Sequence, residues 1–136
     1  MRGESGAKTT VLLCGGSSGS HVLAALLGGR DDYAVRLVTR APERWTEQIR
    51  CTEKRVPSDT FPILMPSWTR IFEGSLAAIY GWDRISEAAE GVDLIVLACP
   101  VHAHRAILES LLPVLDPERH HVLGTLYAQG ARLRAF

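Results

Sequence analysis

The sequence lacks the features that mark disulfide-rich, zinc-binding and nucleic-acid-binding proteins. Its three cysteines, Cys14, Cys51 and Cys99, are odd in number and have no Cys-x-x-Cys spacing, which argues against a disulfide framework and a zinc site. Fifteen basic and fifteen acidic residues cancel, so the positive field of a general nucleic-acid binder or of an anionic-membrane binder is absent. Any bound phosphate must therefore be held by local groups.

Long apolar runs are also missing. The first residues, MRGESGAK, lack the apolar core of a signal peptide, and no stretch approaches the roughly 20 residues that span a bilayer. We therefore expect a cytoplasmic protein with reduced thiols and no membrane segment. With 136 residues, 46% of them apolar, residues 1–136 are predicted to form one globular domain with a buried core.

What the sequence does contain is an alternation of strand and helix patterns. Four short apolar runs, rich in β-branched residues or leucine, predict strands that are buried on both faces of a parallel sheet. Apolar residues at helical spacing follow two of them, and Gly28-Gly29 and Pro113 end these helices. This order predicts an α/β fold with a Rossmann-type, doubly wound, mostly parallel sheet. The predicted strands are Thr9–Cys14, Ala34–Thr39, Val92–Cys99 and His121–Leu126, and the predicted helices cover residues 22–27 and Ala103–Leu112.

The middle of the chain has a weaker pattern. After Pro42, Glu43–Arg50 is predicted as a short helix, and Ile71–Tyr80 as a strand or a helix interrupted by Gly74. Ile85–Glu90 is predicted as a short helix with Gly91 as its C-cap.

The segment VLLCGGSSGSHVLAA, residues 11–25, joins an apolar strand to a helix through a Gly/Ser turn. A helix N-terminus presents unpaired N–H groups and a partial positive charge, which together hold a phosphate without a basic side chain. The turn departs from the dinucleotide fingerprint G-x-G-x-x-G/A by serines at the second and third glycine positions, and no Gly-Lys-Ser/Thr of a P-loop follows. We predict a site for the pyrophosphate of a dinucleotide, with a plain turn as the alternative. Its residues are Gly15, Gly16, Ser17, Ser18, Gly19 and Ser20.

Arg40 lies at the end of the second predicted strand, where an acidic side chain would bind the ribose of NAD. Neither Thr39 nor Arg40 is acidic, and an arginine suits a 2′-phosphate, so NADP is favoured over NAD. A solvated arginine at a strand end is the alternative. His102 and His104 are two residues apart on a predicted helix and point to different sides, which argues against a metal site.

Taken with VRLVTRAPERW, GVDLIVLACPVHAHRAILESLLPVL and HHVLGTLYAQG, the Gly/Ser segment resembles the N-terminal half of the opine (octopine/nopaline) dehydrogenase family. That family lies within the wider group of glycerol-3-phosphate dehydrogenases and ketopantoate reductases. The resemblance covers nearly the whole chain. It implies an NAD(P)-binding Rossmann domain of an oxidoreductase that reductively condenses an amino acid with a 2-oxo acid, followed by a helical substrate domain.

The resemblance also assigns individual residues. Residues 15–20 correspond to the family's phosphate loop, and Pro100 to the point where such enzymes pass the chain beneath the nicotinamide ribose. His104 corresponds to the histidine of a P-x-x-x-H pattern, either near the nicotinamide or as an ordinary residue at a helix start. No catalytic residue is predicted, because the family keeps its acid–base pair in the C-terminal domain.

We therefore expect the cofactor-binding portion of a longer enzyme, in a truncated chain. A stand-alone or degenerate nucleotide-binding or interaction module without catalytic activity is the alternative. A helical substrate domain supplied by a separate chain is a third possibility.

Overall fold

The computed structural model describes residues 6–55 and 67–126, and these ranges form a layered α/β structure. Its first half contains β1 (Thr9–Cys14), α1 (Ser18–Gly28), β2 (Tyr33–Val38), β3 (Gln48–Arg55) and β4 (Trp68–Ser75). Its second half contains β5 (Ala78–Tyr80), α2 (Ile85–Ala89), β6 (Leu94–Leu97), α3 (Val101–Leu111) and β7 (Val122–Thr125). Single 3-10 turns lie at Pro42–Arg44, Trp82–Arg84 and Leu112–Val114.

Five strands form a parallel sheet in the order β5-β2-β1-β6-β7. The central strand is β1, whose residues 11–14 are fully buried. From β1 the chain moves outward through β2 to β5 and then crosses back to β6 on the other side of β1. The strand order therefore reverses between β1 and β6, which is where parallel α/β sheets bind ligands.

Apolar side chains cover both faces of the sheet. Alternate residues of β1 point to opposite faces, so Val11 and Leu13 pack against α1, while Leu12 and Cys14 pack against α2 and α3. The predicted doubly wound, parallel sheet is confirmed, and the four predicted strands correspond to β1, β2, β6 and β7. The prediction that all four are buried on both faces is wrong for β7, which lies at an edge of the sheet with Val122 and Leu123 exposed.

The predicted helix over Glu43–Arg50 is wrong. Only Pro42–Arg44 forms a helical turn, and β3 then pairs antiparallel with β4 in a hairpin that replaces a crossover helix between β2 and β5. Ile49 of β3 is buried in the core beside α1, and Cys51, two residues on, packs partly against the same core. This packing at strand spacing outweighs local helix propensity.

In the segment Ile71–Tyr80 the strand alternative is confirmed, but the break is not at Gly74. Gly74 is buried inside β4, and the break falls at residues 76 and 77, before β5. A Cβ at Gly74 would lie 2.5 Å from the Ala25 carbonyl oxygen of α1, so glycine is needed for close packing and not for a turn. The short helix predicted over Ile85–Glu90 is confirmed as α2. Its C-cap is Glu90 and not Gly91 as predicted, and Gly91 follows the cap with a φ of +68°.

Candidate functional site

The turn after β1 lies at the point where the strand order reverses. Gly15 has a φ of +108°, in the region that favours glycine. A Cβ there would lie 2.9 Å from the carbonyl oxygen of Ala98, just after β6. The turn therefore runs against the end of β6 with no side chain between them.

Ser17 is the N-cap of α1, and its side chain ties the helix start to the sheet. Its Oγ accepts a hydrogen bond from the Ser20 N–H at 3.3 Å and donates one to the carbonyl of Ala98. The N–H groups of Ser18 and Gly19, in the first turn, have no acceptor within the helix. The predicted phosphate loop is thus shorter than expected, because Ser18, Gly19 and Ser20 already belong to α1.

Ser20 takes the place of the third glycine of the fingerprint. Its side chain is fully buried, and its Oγ donates a hydrogen bond to the carbonyl of Gly15. The hydroxyl therefore packs where the helix crosses the sheet, and its hydrogen bond joins the turn to the helix.

A cleft of about 680 Å³ opens above the carboxyl ends of β1, β2 and β6. Arg40 is exposed at its rim, and Thr39 beside it is buried. None of the described residues that line the cleft is a carboxylate, so an anion in it meets no nearby like charge from its walls. The cleft is lined by Gly15, Gly16, Thr39, Arg40, Ala41, Trp82, Cys99, Pro100, His102, Ala103, Ala106, Ile107 and Ser110.

Gly16, the residue between the first glycine and the N-cap, lies close to the end of β2. A Cβ at Gly16 would be 2.7 Å from the Oγ1 of Thr39 and 3.3 Å from the Nε1 of Trp45. Thr39 is held in place because its N–H donates to the Tyr80 carbonyl at 2.9 Å. A side chain at Gly16 would therefore crowd the floor of the cleft.

The two residues predicted from the LACPVHAH segment differ in position. Pro100 is exposed and lines the cleft at the start of α3. His104 is only 5% exposed, and its Nε2 lies 3.0 Å from the carbonyl oxygen of Cys99, so it faces the interior. A direct contact between His104 and a cofactor stays a prediction, and the orientation matches the alternative of a histidine at a helix start.

His102 is a cleft residue that sequence reasoning considered only as a metal ligand. It lines the cleft together with Ala103, Ala106 and Ser110 on one side of α3. These small residues recur three and four apart, which places them on one helix face. His102 lies four residues before Ala106, so this spacing is the sequence signal that could have placed it on the same helix face.

The two thiols beside the cleft are buried. Desolvation, and then the neighbouring Cys99, raise the pKa of Cys14 to about 12, and burial also raises the pKa of Cys99. Both stay protonated at neutral pH, as small core residues do.

Within residues 6–55 and 67–126, no helix is long and apolar enough to cross a membrane, and no three potential ligands cluster as a metal site.

No protein-family model matches the chain. An opine dehydrogenase of Haliotis discus hannai is 34% identical over 113 residues, a match that covers 81% of this chain and 27% of that protein. The chain thus spans about a quarter of the length of this curated relative.

Two solved structures of octopine dehydrogenase also match, one in complex with NADH and L-arginine and one with NADH and agmatine. Both have a TM-score of 0.68 over 88% of this chain and 28% of theirs, at 21% and 22% identity. They confirm the Rossmann-type fold. With the curated relative, they confirm the resemblance to opine dehydrogenases that the sequence predicts.

Proposed function

We propose that the chain is the nicotinamide-dinucleotide-binding portion, residues 1–136, of an oxidoreductase resembling opine dehydrogenases. The observation that carries this proposal is the turn at Gly15 and Gly16, which brings bare backbone and the start of α1 to the point where the strand order reverses. The similarity to an opine dehydrogenase over 81% of the chain supports it.

The residues of the turn fit a pyrophosphate. The first N–H groups of α1, at Ser18 and Gly19, would donate to phosphate oxygens, with the favourable end of the helix dipole beneath them. Glycine at positions 15 and 16 would let a phosphate approach the backbone closely. A Cβ at either position would lie within 3 Å of other protein atoms, so this part of the chain has no room for a side chain. Ser17 and Ser20 would hold this backbone in place through their bonds to Ala98 and Gly15.

The adenosine ribose would lie at the end of β2, beside Thr39 and Arg40. We propose that Arg40 meets a 2′-phosphate, so that NADP is preferred over NAD. Its guanidinium is permanently charged and presents several donors in one plane, and no carboxylate lines the described cleft to bind a 2′-hydroxyl instead. Pro100 would pass beneath the nicotinamide ribose, as the resemblance implies.

When bound, the dinucleotide supplies or accepts a hydride. The chain's own residues orient it, and we assign no catalytic residue to the chain. Cys14 and Cys99 are protonated and do not offer a base or a nucleophile at neutral pH. By resemblance, the acid–base pair and the pocket for an amino acid and a 2-oxo acid lie in a helical domain, in further sequence or in a separate chain. Binding of the cofactor alone does not stabilise a transition state.

The test is a titration of the purified chain with NADPH and with NADH, followed by tryptophan quenching and energy transfer to the nicotinamide. We expect NADPH to bind more tightly. Arg40→Asp should weaken NADPH binding about tenfold or more, because a charged hydrogen bond is lost and a repulsion added. Arg44→Asp is the matched control, since Arg44 is exposed nearby but does not line the cleft.

Two other results of the titration would contradict part or all of the proposal. Equal or tighter binding of NADH, unchanged by Arg40→Asp, would leave the dinucleotide site standing and overturn the assignment of Arg40. If the folded chain binds neither dinucleotide, the proposal fails and the alternative of a degenerate interaction module is favoured.

A further inference from the structure

A second, smaller recess adjoins the phosphate loop on the side of the β3–β4 hairpin. Its volume is about 340 Å³, and it shares Gly16 with the larger cleft. An extended ligand that leaves the cleft over the start of α1 would therefore enter this recess. The recess is lined by Gly16, Ser17, Ser18, His21, Val22 and Trp45.

Trp45 reaches the recess because of the turn before it. Pro42 begins a single 3-10 turn, the N–H of Trp45 donates to the Pro42 carbonyl at 3.1 Å, and Trp45 itself leaves the turn in an extended conformation. The ring is half-buried against the core on the α1 side of the sheet. The indole is thereby held at the outer edge of the phosphate loop.

The polar edge of that indole faces the loop. Its Nε1 would lie 3.3 Å from a Cβ at Gly16, so the N–H is next to the backbone that we propose to approach the pyrophosphate. Within the described ranges this N–H makes no hydrogen bond, and it is not fully buried, so it is open to solvent and to an acceptor. A ligand oxygen at the loop would supply one.

His21 holds the indole from the side of α1. Its Nε2–H donates to the carbonyl of Arg50 in β3 at 3.0 Å, and its ring lies 5.7 Å from the Trp45 ring, centroid to centroid, at an angle of 44°. This contact links the helix that presents the phosphate loop to the hairpin behind Trp45. His21 is thus a positioning residue for the indole.

We propose that Trp45 is a ligand-contacting residue of this site, whose indole N–H donates to a phosphate oxygen of the dinucleotide, and that His21 positions it. This inference rests on the proposed dinucleotide-binding function. It adds a side-chain donor to a loop in which the hydroxyls of Ser17 and Ser20 are already bonded within the protein and that of Ser18 is exposed.

The first test compares Trp45→Phe with Trp68→Phe by calorimetric titration with NADH and NADPH. Phenylalanine keeps an aromatic ring and removes the N–H. We expect Trp45→Phe to weaken both dinucleotides about three- to tenfold, the effect of one lost hydrogen bond, and Trp68→Phe to leave both unchanged. Trp68 is a suitable control because it lies on β4, its ring is in cation–π contact with Arg70, and it lines neither cavity.

A measurement on the unmodified chain guards against misfolding of the variant. The indole N–H resonance of Trp45 should shift in a proton–nitrogen NMR spectrum when NADH is added, while that of Trp68 stays in place. If the wild-type chain binds NADH but the Trp45 resonance does not move, the inference is wrong and the proposed function stands. If the wild-type chain binds no dinucleotide, both fail.

His21 is tested by a double-mutant cycle. His21→Ala should weaken binding about two- to threefold in the wild-type background and not at all in the Trp45→Phe background, because its effect passes through the indole N–H. A purely structural role would weaken both backgrounds equally, and that result would overturn the assignment of His21.

Discussion

Helix α1 has a pair of glycines at each end, and the two pairs do different things. Gly15 and Gly16 precede the helix and border the cleft. Gly28 and Gly29 end it and lie against β4, where a Cβ at either would come within 2.5 Å of a backbone carbonyl oxygen. The first pair borders the cleft in which we propose that the dinucleotide binds, and the second lets two elements of the fold pack closely.

The atoms around Gly16 differ from those around the second pair, whereas Gly15, like that pair, lies against a backbone carbonyl oxygen, that of Ala98. A Cβ at Gly16 would meet side chains, those of Thr39 and Trp45, which can shift. A Cβ at Gly28 or Gly29 would meet only backbone, which cannot shift without moving β4. The presence of a Gly-Gly pair therefore says little by itself. What the missing side chain would touch decides whether the pair serves binding or packing.

The largest predicted effect is on stability, at Gly74, where β4 packs against α1. Gly74→Ala should lower the free energy of unfolding by about 3 kcal/mol, because the new Cβ would lie within 2.7 Å of the carbonyl oxygens of Ala24 and Ala25 and of the Gly29 nitrogen. Urea denaturation followed by circular dichroism measures this loss. The fraction that stays folded should bind dinucleotide with wild-type affinity.

Gly124→Ala, on β7, is the matched control, since a Cβ at Gly124 would meet nothing within 4 Å. Its free energy of unfolding should change by less than about 0.5 kcal/mol. Equal losses in the two variants would contradict the view that close backbone packing is what requires glycine at Gly74.

At the binding end, Gly16→Ala should weaken dinucleotide binding about tenfold or more, equivalent to about 1.4 kcal/mol. The added methyl group would crowd Thr39 and Trp45 at the floor of the cleft. Stability should fall by only about 1 kcal/mol, because the atoms it meets belong to side chains. Calorimetric titration together with urea denaturation separates the two effects. Unchanged affinity would place the ligand away from this turn.

The sheet was predictable because it depends on patterns that are local in the sequence. Strands buried on both faces appear as continuous apolar runs, and β1, β2 and β6 were found in this way. β7 was found from the same kind of run, although it lies mostly exposed at an edge of the sheet. The β3–β4 hairpin was not found, because β3 is mostly exposed and only Ile49 is fully buried. The hairpin packs on α1 through Ile49 and Gly74, and these contacts join residues far apart in the chain, which no local pattern encodes.

The part of the candidate site that consists of backbone could be predicted from the order of the residues. The turn at Gly15 and Gly16 was identified from the strand–turn–helix order. Trp45 was not identified, since nothing in its local sequence shows that a 3-10 turn places it against Gly16. The interior orientation of His104 and the cleft position of His102 likewise depend on how α3 is rotated about its axis.

A smaller effect on dinucleotide affinity than that of Gly16→Ala is expected at Ser17, the serine that joins the N-terminal end of α1 to the sheet. Ser17→Ala removes the N-cap bond to Ser20 and the bond to the Ala98 carbonyl, and should lower the free energy of unfolding by about 1–2 kcal/mol.

Ser18→Ala, one residue later, is the matched control for Ser17→Ala. Ser18 is exposed at the first helical position, and we expect a change of less than about 0.5 kcal/mol. Because Ser17 also orients the first N–H groups of α1, Ser17→Ala should weaken dinucleotide binding two- to threefold, measured by the same titration. A loss of stability without any loss of affinity would show that the helix start keeps its orientation without the cap, and that the turn at Gly15 and Gly16 alone sets the geometry of the site.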